Sequence, residues 1–174
     1  YDQGVLEKIR AHSLLPGHRI GWNYCLDYSW LAMQWDRHFR PGMRVLDIGC
    51  GPGAIHGYLE RTYGVEILGI DTRRWAPDYV DVVGDFTDPQ VRAAHDLGPR
   101  SLDMIISTSA FEHNPPDAHR RLVEVCLESL KPGGCLMTTF SAGKVLGEEA
   151  SAHQWNLPRE QLESIYGIAF ERDR

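Results

Sequence analysis

A chain of 174 residues, 43% of them apolar, holds enough material for one domain with a hydrophobic core, and its formal net charge of −6 offers no basic field to draw in nucleic acid. No apolar run approaches the length of a membrane span and no secretory leader is visible, so neither membrane insertion nor export is expected. Cys25, Cys50, Cys126 and Cys135 form no Cys-x-x-Cys pair and no cluster of zinc spacing; they read as reduced, mostly buried thiols of a cytoplasmic protein without a metal site.

In chain order, residues 4–40 read as helical, with a break at Pro16-Gly17 and an aromatic-rich second half. Pro41-Gly42 ends this region, and strands then alternate with helices. Strands are expected at 44–48, 65–70, 79–83 and 102–107, with helices at 54–63 and 89–97 and an irregular stretch at 72–77. The next helix starts near Pro115-Pro116-Asp117, because the N–H that proline lacks would be unpaired in a first turn anyway. Leu122, Val125, Cys126 and Leu130 mark its buried face. Lys131-Pro132-Gly133-Gly134 is expected to turn the chain into a fifth strand at 135–140, and Pro158 to open a helix ending near Gly167. Apolar strands alternating with helices imply a parallel sheet covered on both faces, with ligands at the carboxyl ends of its strands. The chain begins at Tyr1 and stops soon after Ala169-Phe170, which reads as an excerpt or a truncated chain.

The densest signal is Val45-Leu46-Asp47-Ile48-Gly49-Cys50-Gly51-Pro52-Gly53: an apolar strand, an aspartate, then glycines at alternate positions. Glycine lets the backbone bend sharply and lets a ligand approach it closely. Gly49-x-Gly51-x-x-Ala54, with Asp71 roughly 20 residues on, also matches the dinucleotide fingerprint. Three features weigh against that reading. Asp47 lies inside the strand end, where dinucleotide folds carry an apolar residue. Asp85 ends the third strand, and a long helical region precedes the motif.

Five blocks together resemble the class I S-adenosylmethionine-dependent methyltransferases. They are Asp47–Gly53, Gly69-Ile70-Asp71, Gly84-Asp85-Phe86, Leu102–His113 and Leu130–Gly134, in that family's order and spacing. The resemblance implies an α/β, Rossmann-like doubly wound fold: a mostly parallel sheet with helices on both faces, preceded by a helical extension. Residues 1–41 would form this extension or lid, and 42–174 the cofactor-binding catalytic domain. Two strands that normally end the fold would be missing, so the fifth strand's edge is expected to be covered by further chain or by a partner, including a second copy. S-adenosylmethionine is the implied cofactor. Asp47, Gly49, Cys50, Gly51 and Gly53 would surround its amino-acid end. Asp71, with Thr72 beside it, would take the ribose hydroxyls, and Asp85 with the Phe86 N–H the adenine. Ser107, Thr108 and Phe111 would lie beneath the transferred methyl. Each aspartate has a structural alternative as the cap of a turn, and Cys50 as a small filler of the loop.

The acceptor is less legible. The fourth strand ends in Ser107-Thr108-Ser109-Ala110-Phe111, not in the Asn/Asp-Pro-Pro-aromatic block of nucleic-acid amino methylases. Aminopropyl transferases share the fold but need acidic residues here, and only Glu112 is near. Ala110-Phe111-Glu112-His113 resembles the corresponding segment of methyltransferases that act on small molecules. His113 is the candidate general base, with packing or helix capping as its alternative. Trp22, Tyr24, Tyr28 and Glu112 are candidates for the lid or acceptor side, since aromatic faces suit a sulfonium and exclude water. Trp30 and Trp35 are expected to be buried against the sheet. The resulting expectation is methyl transfer to a small-molecule acceptor. A nicotinamide-dependent oxidoreductase and a non-catalytic S-adenosylmethionine-binding module are the alternatives.

Overall fold

The computed structural model describes residues 2–12, 22–75, 80–149 and 153–169, except for the side chains of Trp22 and Asn23. The Pro16-Gly17 break, Pro77 and Tyr79 lie outside the described residues. Five strands form one parallel sheet of order β3-β2-β1-β4-β5: β1 (Arg44–Ile48), β2 (Glu66–Asp71), β3 (Val82–Val83), β4 (Leu102–Thr108) and β5 (Leu130–Thr139). The central strands β1 and β4 are almost wholly buried, which is why they read as continuous apolar runs rather than as alternating ones. The strand order reverses between β1 and β4, and their carboxyl ends therefore open the crevice where α/β sheets bind ligands.

Helices cover both faces. On one side α5 (Pro116–Ser129) and α6 (Arg159–Tyr166) bury Leu122, Val125, Leu162 and Ile165 against Leu46, Ile48 and Ile105. On the other, α1 (Gln3–His12), α2 (Trp22–His38) and α3 (His56–Tyr63) pack Ile9, Leu31, Trp35 and Leu59 against Val45, Met104 and Ile106. The N-terminal helices thus share a core with the sheet. Helix α4 (Pro89–Ala94) is capped by the Asp88 carboxylate, which accepts from the Gln90 N–H at 2.8 Å.

Several elements differ from expectation. Helix α3 begins at His56, not at Ala54, because Gly53 takes φ +60° and its N–H closes a turn onto the Cys50 carbonyl. Lys131-Pro132-Gly133-Gly134 is not a turn outside the strand. It lies within β5, as an irregularity between the Leu102–Leu130 and Met104–Cys135 pairings. Trp30 is 44% exposed whereas Trp35 is fully buried. Tyr28, Leu31 and Trp35 recur on the sheet-facing side of α2, and at 100° per residue Trp30 falls on the opposite side, beside the exposed Leu26 and Met33. Two strands precede α6, β6 (Gly147–Glu149) and β7 (Gln154–Asn156), but they pair antiparallel with each other rather than extending the main sheet. Among the described residues β5 remains the sheet's edge.

Candidate functional site

The loop after β1 is folded by its own donors. The Gly49 and Cys50 N–H groups donate to the Ile70 carbonyl at 2.8 and 3.3 Å, and the Gly51 N–H donates to Asp71 Oδ2 at 3.0 Å. Gly49, Gly51 and Gly53 all have positive φ, the left-handed region that favours glycine. A Cβ on Gly49 would overlap Ala110, whereas one on Gly51 would meet nothing within 4 Å. The space in front of Gly51 is open.

Asp47 is buried, and its Oδ2 sits 2.9 Å from His56 Nε2. The contact joins the end of β1 to the first turn of α3. Gly69, beside Asp47 in the sheet register, leaves room for this pair: a Cβ there would come within 2.7 Å of the His56 ring and 2.8 Å of the Cys50 sulfur. Cys50 is buried, and its thiol is pushed up by burial and by Asp47; it is a filler of the loop, not an activated nucleophile.

Asp71 ends β2 with its carboxylate turned toward the loop. Besides Gly51, it accepts from the Arg73 N–H at 3.1 Å and from the Trp75 indole N–H at 2.9 Å. The Arg73 guanidinium stacks on the Trp75 ring, 3.7 Å from its centroid. Thr72 beside them is exposed. Asp85 caps a turn, its Oδ1 accepting from both the Thr87 N–H and the Thr87 hydroxyl at 2.8 Å. Phe86 is buried, and its carbonyl accepts from the Arg92 guanidinium at 2.9 Å.

At the end of β4 the expected residues separate. Ser107 is fully buried, and its hydroxyl donates to the Ile48 carbonyl at 2.7 Å, fastening β4 to β1. The Thr108 hydroxyl is buried without a partner among the described residues. Phe111 is fully buried and packs edge-on to His119, with ring centroids 5.3 Å apart. Tyr28 is likewise core, stacked on Tyr24. Trp22 opens α2, but its side chain lies outside the described residues.

Tyr24, Glu112 and His113 do come together. With Leu26, Asp27, Ser109, Phe140, Ser141 and Gln154 they line a cavity of about 350 Å³ at the mouth of the crevice. Ser109 carries φ +50°, and its hydroxyl donates to Asp27 Oδ2 at 2.8 Å, tying α2 to the end of β4. His113 Nδ1 lies 2.8 Å from the His153 carbonyl. A carbonyl only accepts, so Nδ1 holds the proton and Nε2 presents a lone pair in the neutral ring. Glu112 is 3% exposed; its Oε1 accepts from the Ser141 N–H at 3.3 Å. Burial pushes its carboxyl up from the ordinary range. Sequence reasoning missed Asp27, Phe140, Ser141 and Gln154, which belong to other elements and carry no local signal of a site. Among the described residues no group of histidine, cysteine and carboxylate side chains could hold a metal ion, and no helix is long and apolar enough to cross a membrane.

Comparison with solved structures places the architecture. A SAM dependent methyltransferase from Archaeoglobus fulgidus superposes with a TM-score of 0.62 at 19% identity, covering 84% of this chain and 68% of that one. Phosphoethanolamine N-methyltransferase 2 of Haemonchus contortus, in complex with S-adenosyl-L-methionine, gives 0.61 at 23% identity, with 84% and 36% covered. The fold is that of the class I S-adenosylmethionine-dependent methyltransferases. Within that class, residues 32–158 match the family model for mycolic acid cyclopropane synthetase, and the chain belongs to this family. The cyclopropane-fatty-acyl-phospholipid synthase of Escherichia coli K12 is 30% identical over 136 residues, which cover 75% of this chain and 35% of that protein. The ubiquinone biosynthesis O-methyltransferase of Xylella fastidiosa is 34% identical over 108 residues, covering 56% and 42%. The chain thus spans less than half the length of these curated relatives.

Proposed function

We propose that this chain binds S-adenosylmethionine and transfers its methyl group to a small-molecule acceptor. One observation carries the reading: the open space before Gly51, bounded by the Asp71 carboxylate at the end of β2. The family and the fold support it. When bound, S-adenosylmethionine supplies an electrophilic methyl on a positively charged sulfur.

The chain's residues divide the work. Asp71 takes the ribose hydroxyls, since one carboxylate can accept several hydrogen bonds. Asp85 has Oδ1 committed to Thr87 and offers Oδ2 to the adenine amino group. Asp47, held on His56, sets the loop's shape rather than reaching the ligand. His113 takes a proton from the acceptor at Nε2, the nitrogen that its bond to His153 leaves basic. The residues around the cavity align the acceptor, and alignment supplies much of the rate of an in-line displacement. Residues 1–41 act as a lid fused to the core, and the four cysteines, none in a disulfide, suit a cytoplasmic setting.

The same loop speaks against a nicotinamide dinucleotide. A pyrophosphate needs backbone N–H groups at the glycine turn, and those of Gly49, Cys50, Gly51 and Gly53 are all spent internally. Isothermal titration calorimetry tests the proposal. S-adenosylhomocysteine should bind in the micromolar range and NAD should give no heat. The reverse result would overturn the reading. Binding without turnover across a wide acceptor panel would favour a non-catalytic module.

A further inference from the structure

The cavity at the mouth of the crevice has a one-sided chemistry. Asp27 and Glu112 enter it from α2 and from the turn after β4, and among the described residues His113 is its one basic side chain, with no lysine or arginine in the lining. Glu112 is the sharper clue. It is 3% exposed, its Oε1 accepts from Ser141, and its Oε2 is buried with no hydrogen-bond partner among the described residues. A buried carboxyl oxygen without a donor is costly, and this one borders an accessible cavity from which a ligand can supply that donor. The second carboxyl group is held in place: Asp27 is fixed by the hydroxyl of Ser109, a residue kept at φ +50°. Such backbone strain concentrates at sites where a side chain must be aimed. Tyr24 and Phe140 add aromatic rings to the wall. The negative surroundings register on Tyr24, whose phenol is pushed up by burial and then by Glu112 and Asp27.

A positively charged group with several N–H donors answers all of these features at once. It gives Glu112 Oε2 its missing partner, offsets the charge of Asp27 and sits against the faces of aromatic rings. We infer that the cavity recognises a protonated amine, and that the methyl acceptor is a molecule carrying one, held between Asp27 and Glu112. The acceptor assignment rests on the methyltransferase reading; recognition of the amine by the cavity does not.

The test uses three probes of one shape and different charge: 2-phenylethylamine, 2-phenylethanol and phenylacetate. Each is titrated calorimetrically at pH 7 into the full chain, with and without saturating S-adenosylhomocysteine. The amine should bind saturably in both states, at least tenfold more tightly than the alcohol or the acid. Asp27→Asn, whose amide oxygen can still accept from Ser109, should weaken the amine at least tenfold and leave S-adenosylhomocysteine binding unchanged. Glu112→Gln should weaken it likewise, with thermal midpoints showing that both variants fold. No saturable amine binding, equal binding of phenylacetate, or an Asp27→Asn variant that binds the amine normally would each overturn the inference. Competition between the amine and S-adenosylhomocysteine would overturn the acceptor assignment, because the cavity would then be holding the cofactor's own ammonium. Failure of S-adenosylhomocysteine to bind would remove the methyltransferase reading and leave the amine result standing by itself.

Discussion

Gly49 and Gly51 show one residue type meeting two separate needs. Both have positive φ, but only Gly49 faces a neighbour, Ala110; Gly51 faces open space. Gly51→Val should cost roughly 1–2 kcal/mol of stability for the left-handed backbone and fill the cofactor's proposed place. We expect a folded variant that no longer binds S-adenosylhomocysteine, read by thermal denaturation and calorimetry together, whereas Gly49→Val should fail at the fold. Asp71 is a more crowded case. Among the described residues three N–H groups already donate to it, two of them to Oδ2. A ribose that needs both oxygens must displace the Trp75 indole. Asp71→Ala should therefore cost roughly 2–3 kcal/mol of S-adenosylhomocysteine affinity, while Trp75→Phe, which removes the competitor, should raise that affinity several-fold. A loss of affinity in Trp75→Phe would instead make the indole part of the bound site. For His113, alanine should lower turnover by about 100-fold with little change in cofactor binding. If turnover of the variant stays within a few-fold of wild type, the ring only packs.

Among the elements, α5 carries a group that responds to acid. His119 is fully buried, with its ring edge-on to Phe111, Phe140 and Tyr166, and its Nδ1 has no partner among the described residues. Burial pushes its pKa from 6.5 down to about 4. The folded state keeps this ring neutral, and the unfolded chain takes up the proton first as the pH falls. Its contribution is therefore complete above pH 6.5 and lost progressively toward pH 4, by roughly 3 kcal/mol. His119→Phe should flatten the loss of urea stability between pH 7 and pH 4.5; an unchanged slope would assign that loss to other groups. The helix itself was legible in the sequence because its signals are local: prolines at the start and an apolar face at helical spacing. The same holds for β1, its glycine loop and the aspartate ending β2. The bulge at Lys131–Gly134 was not legible, since proline and glycine mark a turn and an irregular edge strand alike. Neither was the β6–β7 hairpin, whose strands of three residues each carry no alternating pattern. The cavity was legible in part. Glu112 and His113 follow β4 directly, but the Ser109–Asp27 bond spans 82 positions, and no local pattern encodes a contact of that range.

Over the whole molecule, the sheet has two cores, and the helices that precede it build one of them together with α3. Val45, Met104 and Ile106 share that core with Leu31, Trp35 and Phe39 of the N-terminal region and with Leu59 of α3. The proposed lid is therefore also half of the fold, and a part so fixed can aim Asp27 but cannot swing away as a unit. Stability and site geometry are coupled through α2. Trp35 is the residue on which to measure that coupling: it is fully buried, packs against Phe39, Tyr58 and Tyr63, and has an indole N–H with no partner among the described residues. Trp35→Ala should cost roughly 3–5 kcal/mol through the cavity it leaves. Trp35→Phe should cost much less, because the orphaned donor leaves with the lost area. Urea unfolding of the full chain should be one transition, coincident by far-ultraviolet circular dichroism and by tryptophan fluorescence. The segment 42–174 alone should show no cooperative transition. If that segment unfolded cooperatively at the full chain's midpoint, the N-terminal helices would be a cover laid over a complete domain, and α2 would be free to open the site.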